Sequence, residues 1–270
     1  MHSASVRLGV FYHPQLARQT LALAGKLRLI AVTSAPAEDD AAFAEIRAKF
    51  TFSLHYWLGG YRESLPEEAL LRLEEMAALL RPEWVVERIE SCEMSDGGRR
   101  LEEPLAPLYT QDSLEQFCRF AGRVRRRVTA PLAWENVPGY LPARGAEMRE
   151  GEFIRRLLKQ TGSKLALNLP AIWVSAHHAN CTPMEYLEEF PLEETGILQV
   201  AGMEQNLDLG GPWISPSPPS DEMLTLMEFV TERTPKLQVI LLDACFAELP
   251  PPAFAEGVER ITLKARFASA

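Results

Sequence analysis

Apolar positions along the chain follow two alternating periods. Short β-rich runs are followed by longer stretches whose apolar residues recur every three or four positions, the pattern of parallel strands joined by amphipathic helices. Eight such units can be read from the sequence. SVRLGVF (5–11) leads to PQLARQTLALAGK, LRLIAVTS (27–34) to DDAAFAEIRAKF, and TFSLHYW (51–57) to PEEALLRLEEMAALLR. WVVERIES (84–91) precedes a long loop and then DSLEQFCRFAGRVRRRV, in which Leu114, Phe117, Cys118 and Ala121 share one helical face. LAWENV leads to GEFIRRLLKQTG, which carries a stop signal at Gly162. KLALNL and AIWVSA, both read as strand-like, precede the short helix PMEYLEEF. GILQVAGM (196–203) precedes DEMLTLMEFVTERT, and KLQVILLDACF (236–246) precedes a last helix near PAFAEGVERI.

Eight strand–helix pairs in 270 residues predict an α/β fold, a TIM-type (β/α)8 barrel forming a single domain over 1–270. An open doubly wound sheet alternates in the same way but usually carries a glycine-rich first turn for phosphate, and LGVFYHPQL has none. The two long insertions, 91–109 and the Pro/Gly/Ser-rich 209–220, both follow strands, on the face where a barrel keeps its chemistry.

At 47% hydrophobic and 24% charged, the composition is that of a soluble globular protein. The formal charge of -9 disfavours non-specific binding to nucleic acid or anionic membrane, which requires a basic face. The arginines of RVRRRV (123–128) read as a solvated helix face. Cys92, Cys118, Cys181 and Cys245 are scattered without a CxxC pair, as expected of free thiols in a reducing compartment. No stretch approaches the ~20 apolar residues of a membrane span, and MHSASVRLGV has no secretory pattern, so the cytoplasm is the expected location.

In a barrel, polar residues at the C-terminal strand ends point to one mouth. Here they are His55, Glu87 with Arg88 and Glu90, Glu135 with Asn136, Asn168, His177 with His178, Gln199 and Asp243. Converging carboxylates and imidazoles can bind a divalent metal or act as acid and base. They can equally form a satisfied polar layer in which Arg88 and its neighbours pair to avoid a naked buried charge. His13, before Pro14, is placed to cap the first helix, and Cys245 near the last strand is either a nucleophile or a small buried hydrophobe. No GxSxG elbow and no Walker loop is present.

Several segments, taken in order, carry a family resemblance: SLHYWLGG, PEWVVERIES, APLYTQDSL, LAWENVPGYL, then REGEFIRRLLKQTGSKLALNLPAIWVSAHHANCTPMEYLEEFP and ILQVAGM. From about residue 7 to residue 250 the chain resembles the multinuclear non-heme iron-dependent oxidative enzymes, which include the methanobactin-biosynthesis oxidase. The resemblance implies a TIM-type barrel and, in intact members, an iron cluster that oxidises residues of a ribosomally made peptide, often with a partner protein presenting it. His55 and Glu135 match family ligand positions, Glu87 matches the acid before a ligand histidine, and Asp243 falls near the last-strand carboxylate.

The match departs where the metal would be held. Arg88 stands where the family has a histidine, and Asn168 where it has an aspartate; Pro170 and Ala171 replace paired asparagines, and Gln199 and Met203 replace two histidines. No Asp-x-His occurs between residues 204 and 220. The expectation is a barrel that has lost its multinuclear iron activity, with Glu135 facing Arg88, no resident cofactor, and a peptide or protein partner bound instead. The alternative is a single iron or other divalent metal on His55, Glu135, Asp243 and one of His177 or His178, serving peptide oxidation, hydrolysis or isomerisation.

Overall fold

A computed structural model describes residues 6–34, 40–58, 67–91, 104–140, 144–206, 211–243 and 249–265. Among these, strands β1 (Arg7–Phe11), β2 (Leu27–Val32), β3 (Thr51–Leu54), β4 (Trp84–Arg88), β5 (Leu132–Glu135), β6 (Lys164–Asn168) and β7 (Thr195–Val200) lie in the predicted runs. A short hairpin, β8 (Met203–Asn206) with β9 (Gly211–Ile214), comes before the last barrel strand, β10 (Val239–Leu242). The eight barrel strands are all parallel and close in the order β1-β10-β7-β6-β5-β4-β3-β2. The described helices are α1 (Ala17–Ala22), α2 (Ala41–Lys49), α3 (Glu67–Leu80), α4 (Gln111–Arg125), α5 (Glu150–Thr161), α6 (Leu169–His178), α7 (Pro183–Leu187), α8 (Asp221–Thr231) and α9 (Pro251–Lys264).

Strand alternation divides the core in two. Phe11, Leu29, Ala31, Trp84, Val86, Ala133, Ala166, Ile197, Val239 and Leu241 form one buried cluster inside the barrel. The opposite strand faces pack against helices; Trp134, for example, meets Phe117 edge-on at 5.4 Å and lies 5.9 Å from Phe120 of α4. The predicted face of α4 is buried at Leu114, Phe117 and Ala121, while Cys118 at its edge is partly exposed. Gly162 ends α5 in the left-handed conformation at φ 57°, which a residue without Cβ adopts at little cost.

One expectation is corrected. AIWVSA is helical rather than strand-like: it forms the body of α6, which starts directly at the end of β6. Asn168 caps it by accepting from the Ala171 amide at 3.0 Å, and Pro170 fits the first turn, where no amide is needed. These local signals outweigh the β-branched content of the run. His13 does cap the short 3-10 turn Pro14–Leu16, accepting from the Gln15 amide. No described helix is long and apolar enough to cross a membrane. Cys92 and Cys245 lie outside the described residues, so the nucleophile suggested at Cys245 does too.

Candidate functional site at the barrel mouth

The inward-facing positions of the apolar cluster turn polar one step toward the C-terminal strand ends. Val86 is succeeded two residues on by Arg88, Ala133 by Glu135, Ala166 by Asn168, Ile197 by Gln199 and Leu241 by Asp243. A period of two keeps each on the same face as its predecessor. The barrel register then sets neighbours: Arg88 lies beside Glu135, and Asn168 beside Gln199.

Glu135 is the hub of this layer, with 1% of its surface exposed. The Nε of Arg88 lies 3.4 Å from its Oε1, and Asn168 Nδ2 donates to the same oxygen at 3.1 Å. The Arg88 guanidinium is stacked over Trp57, 3.5 Å from the ring centre, so a largely buried cation is held by both an acid and a π face. On the other side, His55 Nδ1 stands 3.8 Å from Glu135 Oε2, beyond hydrogen-bond length. The His55 ring is fixed by Ser53 Oγ at 3.2 Å from Nε2 and by the edge of Phe11.

Burial works to raise the Glu135 carboxyl pKa, but the Arg88 charge together with His55 and Asn168 outweighs it and holds the acid at about 2. Burial pushes His55 the other way, downward, against the pull of Glu135. The resting mouth is therefore a carboxylate–guanidinium pair beside a neutral imidazole. His55 Nδ1 and Glu135 Oε2 are both buried and have no hydrogen-bond partner among the described residues.

Not every strand-end group belongs to this layer. Glu87 sits on the opposite face of β4 from Arg88 and accepts from the Leu58 amide at 3.1 Å; burial pushes its pKa well up, favouring the neutral acid. Asn136 is a clamp: its Oδ1 accepts from the Asn168 amide at 2.7 Å and its Nδ2 donates to the Asn168 carbonyl at 3.2 Å, prolonging the β5–β6 ladder by one side chain. Asp243 follows β10 directly and is buried, its amide bonded to the Val200 carbonyl. His177 and His178 are exposed in the last turn of α6, stacked edge-to-face on each other. His178 lines a separate cavity with Tyr140 and Tyr186, one that includes none of His55, Glu135 and Asp243.

The mouth, among the described residues, does not assemble the donors of a multinuclear iron centre. Among the described residues no group of three or more His, Cys, Asp or Glu side chains is placed to hold a metal ion. One oxygen of Glu135, Oε1, faces the permanent cation of Arg88. Sequence reasoning missed Trp57, although it shares strand parity with Ser53 and His55 and could have been found that way.

A family model described as "RiPP precursor modification enzyme MbnB/TglH/ChrH" matches residues 28–242. The chain is 31% identical over 170 residues to a UPF0276 protein of Paraburkholderia phytofirmans, covering 62% of this chain and 54% of the relative. It is 30% identical over 172 residues to one of Rhizobium meliloti, with 62% and 54% covered. The chain thus spans about half the length of these curated relatives. Among solved structures, a xylose isomerase domain containing protein from Salmonella typhimurium superimposes with a TM-score of 0.64 at 11% identity, over 98% of this chain and 99% of that one. D-psicose 3-epimerase from Clostridium cellulolyticum gives 0.58 at 7% identity, over 98% and 100%. At such identities the likeness establishes the barrel fold alone.

Proposed function

This chain belongs to the MbnB/TglH/ChrH family of RiPP precursor modification enzymes, and from that membership we propose that it has kept the family's barrel while giving up multinuclear iron chemistry, and that it acts by binding a peptide or a protein partner. The observation that carries this reading is the Arg88–Glu135 pair under Trp57. An arginine occupies the position where the resemblance calls for a ligand histidine, and its charge is used inside the mouth to keep Glu135 ionised. A guanidinium cannot coordinate metal. The Arg88 charge thus offsets that of Glu135 without a metal, and the unpartnered polar atoms His55 Nδ1 and Glu135 Oε2 leave hydrogen-bonding capacity for a polar ligand.

Protein made in iron-replete cells provides the test, by elemental analysis. The expected iron content is far below one per chain. Two or more irons per chain, with oxygen-dependent turnover of a peptide, would overturn the proposal.

A second reading has one specific observation in its favour. His55 Nδ1 and Glu135 Oε2 are unpartnered, buried and 3.8 Å apart, so a single divalent ion could be held between them with further ligands from solvent or substrate. Such an ion would supply Lewis-acid chemistry, for hydrolysis or isomerisation. Calorimetric titration with zinc, manganese and iron(II) decides it: the reading fails if wild type gives no heat, or if His55→Ala and Glu135→Ala give the same heat as wild type.

A further inference from the structure

Beside the mouth lies a cavity of about 470 Å³ walled by the loops that follow β4 and β5 and by α6 and α7. Glu150, the first residue of α5, lines it together with Tyr109, Tyr140 and Tyr186. Tyr186 Oη donates to Glu150 Oε2 at 2.6 Å, and burial pushes the Glu150 carboxyl up to about 7, against the lowering pull of the Tyr186 and Tyr109 hydroxyls. Nothing in the chemistry of the mouth uses this acid.

The walls are tied to one another before any ligand arrives. The Tyr109 carbonyl accepts from the amides of Glu147 and Met148 at 3.0 and 3.2 Å, and the Gly139 amide donates to Ser175 Oγ at 2.8 Å. A capping box between Thr182 and Glu185 starts α7 and so fixes Tyr186 one residue later. At the base, a Cβ on Gly151 would lie 2.2 Å from the Glu189 carbonyl oxygen, so only glycine lets α5 begin close enough to bring Glu150 under Tyr186.

We propose that this cavity receives the ammonium or guanidinium side chain of a peptide, a lysine or arginine, with Glu150 as its counter-charge and the three tyrosines as its walls. The inference rests on the peptide-binding reading above and places one anchor of the peptide. A carboxylate with two phenol donors keeps acceptor capacity for a third group, and a cation is the ligand that a half-buried acid among aromatic side chains favours. The other charged or titratable groups around it are compatible. Arg144 is exposed at the rim and forms no ion pair with Glu150 among the described residues, and His178 faces Tyr140 with ring centres 5.8 Å apart. Cys181 lies near Tyr186 and stays a thiol, its pKa raised by burial and by Glu185 and Glu189. The formal charge of -9 draws a basic peptide toward the chain, and Leu108 at the cavity edge offers an exposed apolar contact beside the charged anchor.

The test is calorimetric titration of the whole chain with three probes: a capped peptide with one lysine between leucines, its norleucine counterpart, and butylammonium. The lysine peptide is expected to bind about tenfold more tightly than the norleucine peptide, the scale of one charge-assisted contact. Its affinity is expected to rise from pH 6 to pH 8 as Glu150 ionises. Glu150→Gln should remove that tenfold advantage, and Arg144→Ala should not weaken binding. Should Glu150→Gln fail to fold, Tyr186→Phe serves instead: it keeps the ring, makes Glu150 easier to protonate, and should weaken the lysine peptide at pH 7. Equal affinity for the lysine and norleucine peptides overturns the proposal, and butylammonium binding as tightly as the lysine peptide overturns the peptide assignment. Lysine-peptide binding that survives Glu150→Gln but is lost in Glu135→Gln would overturn this cavity as the anchor and move it to the mouth, leaving peptide binding intact. Iron in the wild type would overturn the loss of iron chemistry without touching this cavity.

Discussion

Glu135, buried, and Glu150, half-buried, are carboxylates on the C-terminal side of the same barrel, and they end in opposite states. Glu135 is held at about 2, whereas Glu150 is raised to about 7. Burial acts upward on both; what differs is the company. Glu135 has a guanidinium at 3.4 Å and an amide donor at 3.1 Å, whereas Glu150 has phenols, whose hydroxyls help but carry no charge. A neutral donor reduces the desolvation cost of a buried acid, and only a cation reverses it. The mouth is thus closed electrostatically by its own arginine, while the side cavity keeps an acid whose charge awaits a partner.

Breaking the Arg88–Glu135 pair is the severest test of that contrast. Arg88→Ala leaves Glu135 buried with a neutral imidazole as its nearest remaining titratable neighbour, a loss of about 3 to 5 kcal/mol when one partner of a buried pair is removed. The melting temperature should fall clearly. Arg88→Met combined with Glu135→Gln should recover much of the loss, because the penalty lies in the orphaned charge more than in the missing attraction. Thermal unfolding of the single and double variants decides it; an Arg88→Ala protein as stable as wild type would show that the pair contributes nothing.

The two acids also predict opposite pH dependences. Glu135, lowered from 4.5 to about 2, contributes stability that is fully present above pH 4.5 and is lost as pH falls through about 2. Glu150, raised from 4.5 to about 7, contributes stability that is fully present below pH 4.5 and is lost as pH rises through about 7. Each effect is on the order of 3 kcal/mol across its window. Chemical denaturation should therefore show wild type losing ground to Glu135→Gln between pH 5 and pH 3, and losing ground to Glu150→Gln between pH 5 and pH 8. Slopes of the same sign would mean that the environments of the two acids are not as different as described.

How far the sequence foretold these two regions follows from the kind of information each needs. The mouth was legible because strand parity is local: once β4 and β5 are recognised, Arg88 and Glu135 must face inward, and parallel register makes them neighbours. Parity also separates Glu87 and Asn136 from the layer, a distinction that position at the strand end alone does not make. The AIWVSA segment reads as strand-like from its β-branched content, which masks the helix start that Asn168 and Pro170 signal. The Glu150 cavity had no local signature at all. Its acid, its tyrosines and its serine come from five separate segments, and only tertiary closure brings them together.

That closure can be probed at its tightest point. Gly151→Ala places a methyl 2.2 Å from the Glu189 carbonyl oxygen, a backbone atom that cannot rotate away, and overpacking of this kind costs about 1 to 3 kcal/mol. Gly25→Ala is the control, since a methyl there meets nothing within 4 Å. The Gly151 variant should also lose its distinctive stability change between pH 5 and pH 8, because moving the start of α5 lets water reach Glu150. Equal unfolding midpoints for the two alanine variants would show that α5 can shift without cost.

The smallest change expected is at Tyr186, and it separates the roles of ring and hydroxyl. Tyr186→Phe preserves the aromatic wall and deletes the donor that lies 2.6 Å from Glu150 Oε2. One buried hydrogen bond to an acid is worth about 1 kcal/mol where the acceptor can be partly satisfied elsewhere, and the Tyr109 hydroxyl remains nearby. The loss should depend on pH. Below about pH 5 the carboxyl is neutral in both proteins, and the variant should be nearly as stable as wild type. Above pH 7 the carboxylate must be accommodated with one donor fewer, so the variant should fall further behind. The same deletion raises the Glu150 pKa, since the Tyr186 hydrogen bond lowers it, and the pH at which the decline in stability levels off should therefore move upward, while its onset near pH 4.5 stays where it is. Unfolding midpoints of wild type and variant measured from pH 5 to pH 8 report both effects together, and a stability difference that stays constant across that range would show that the Tyr186 hydroxyl does not govern the charge on Glu150.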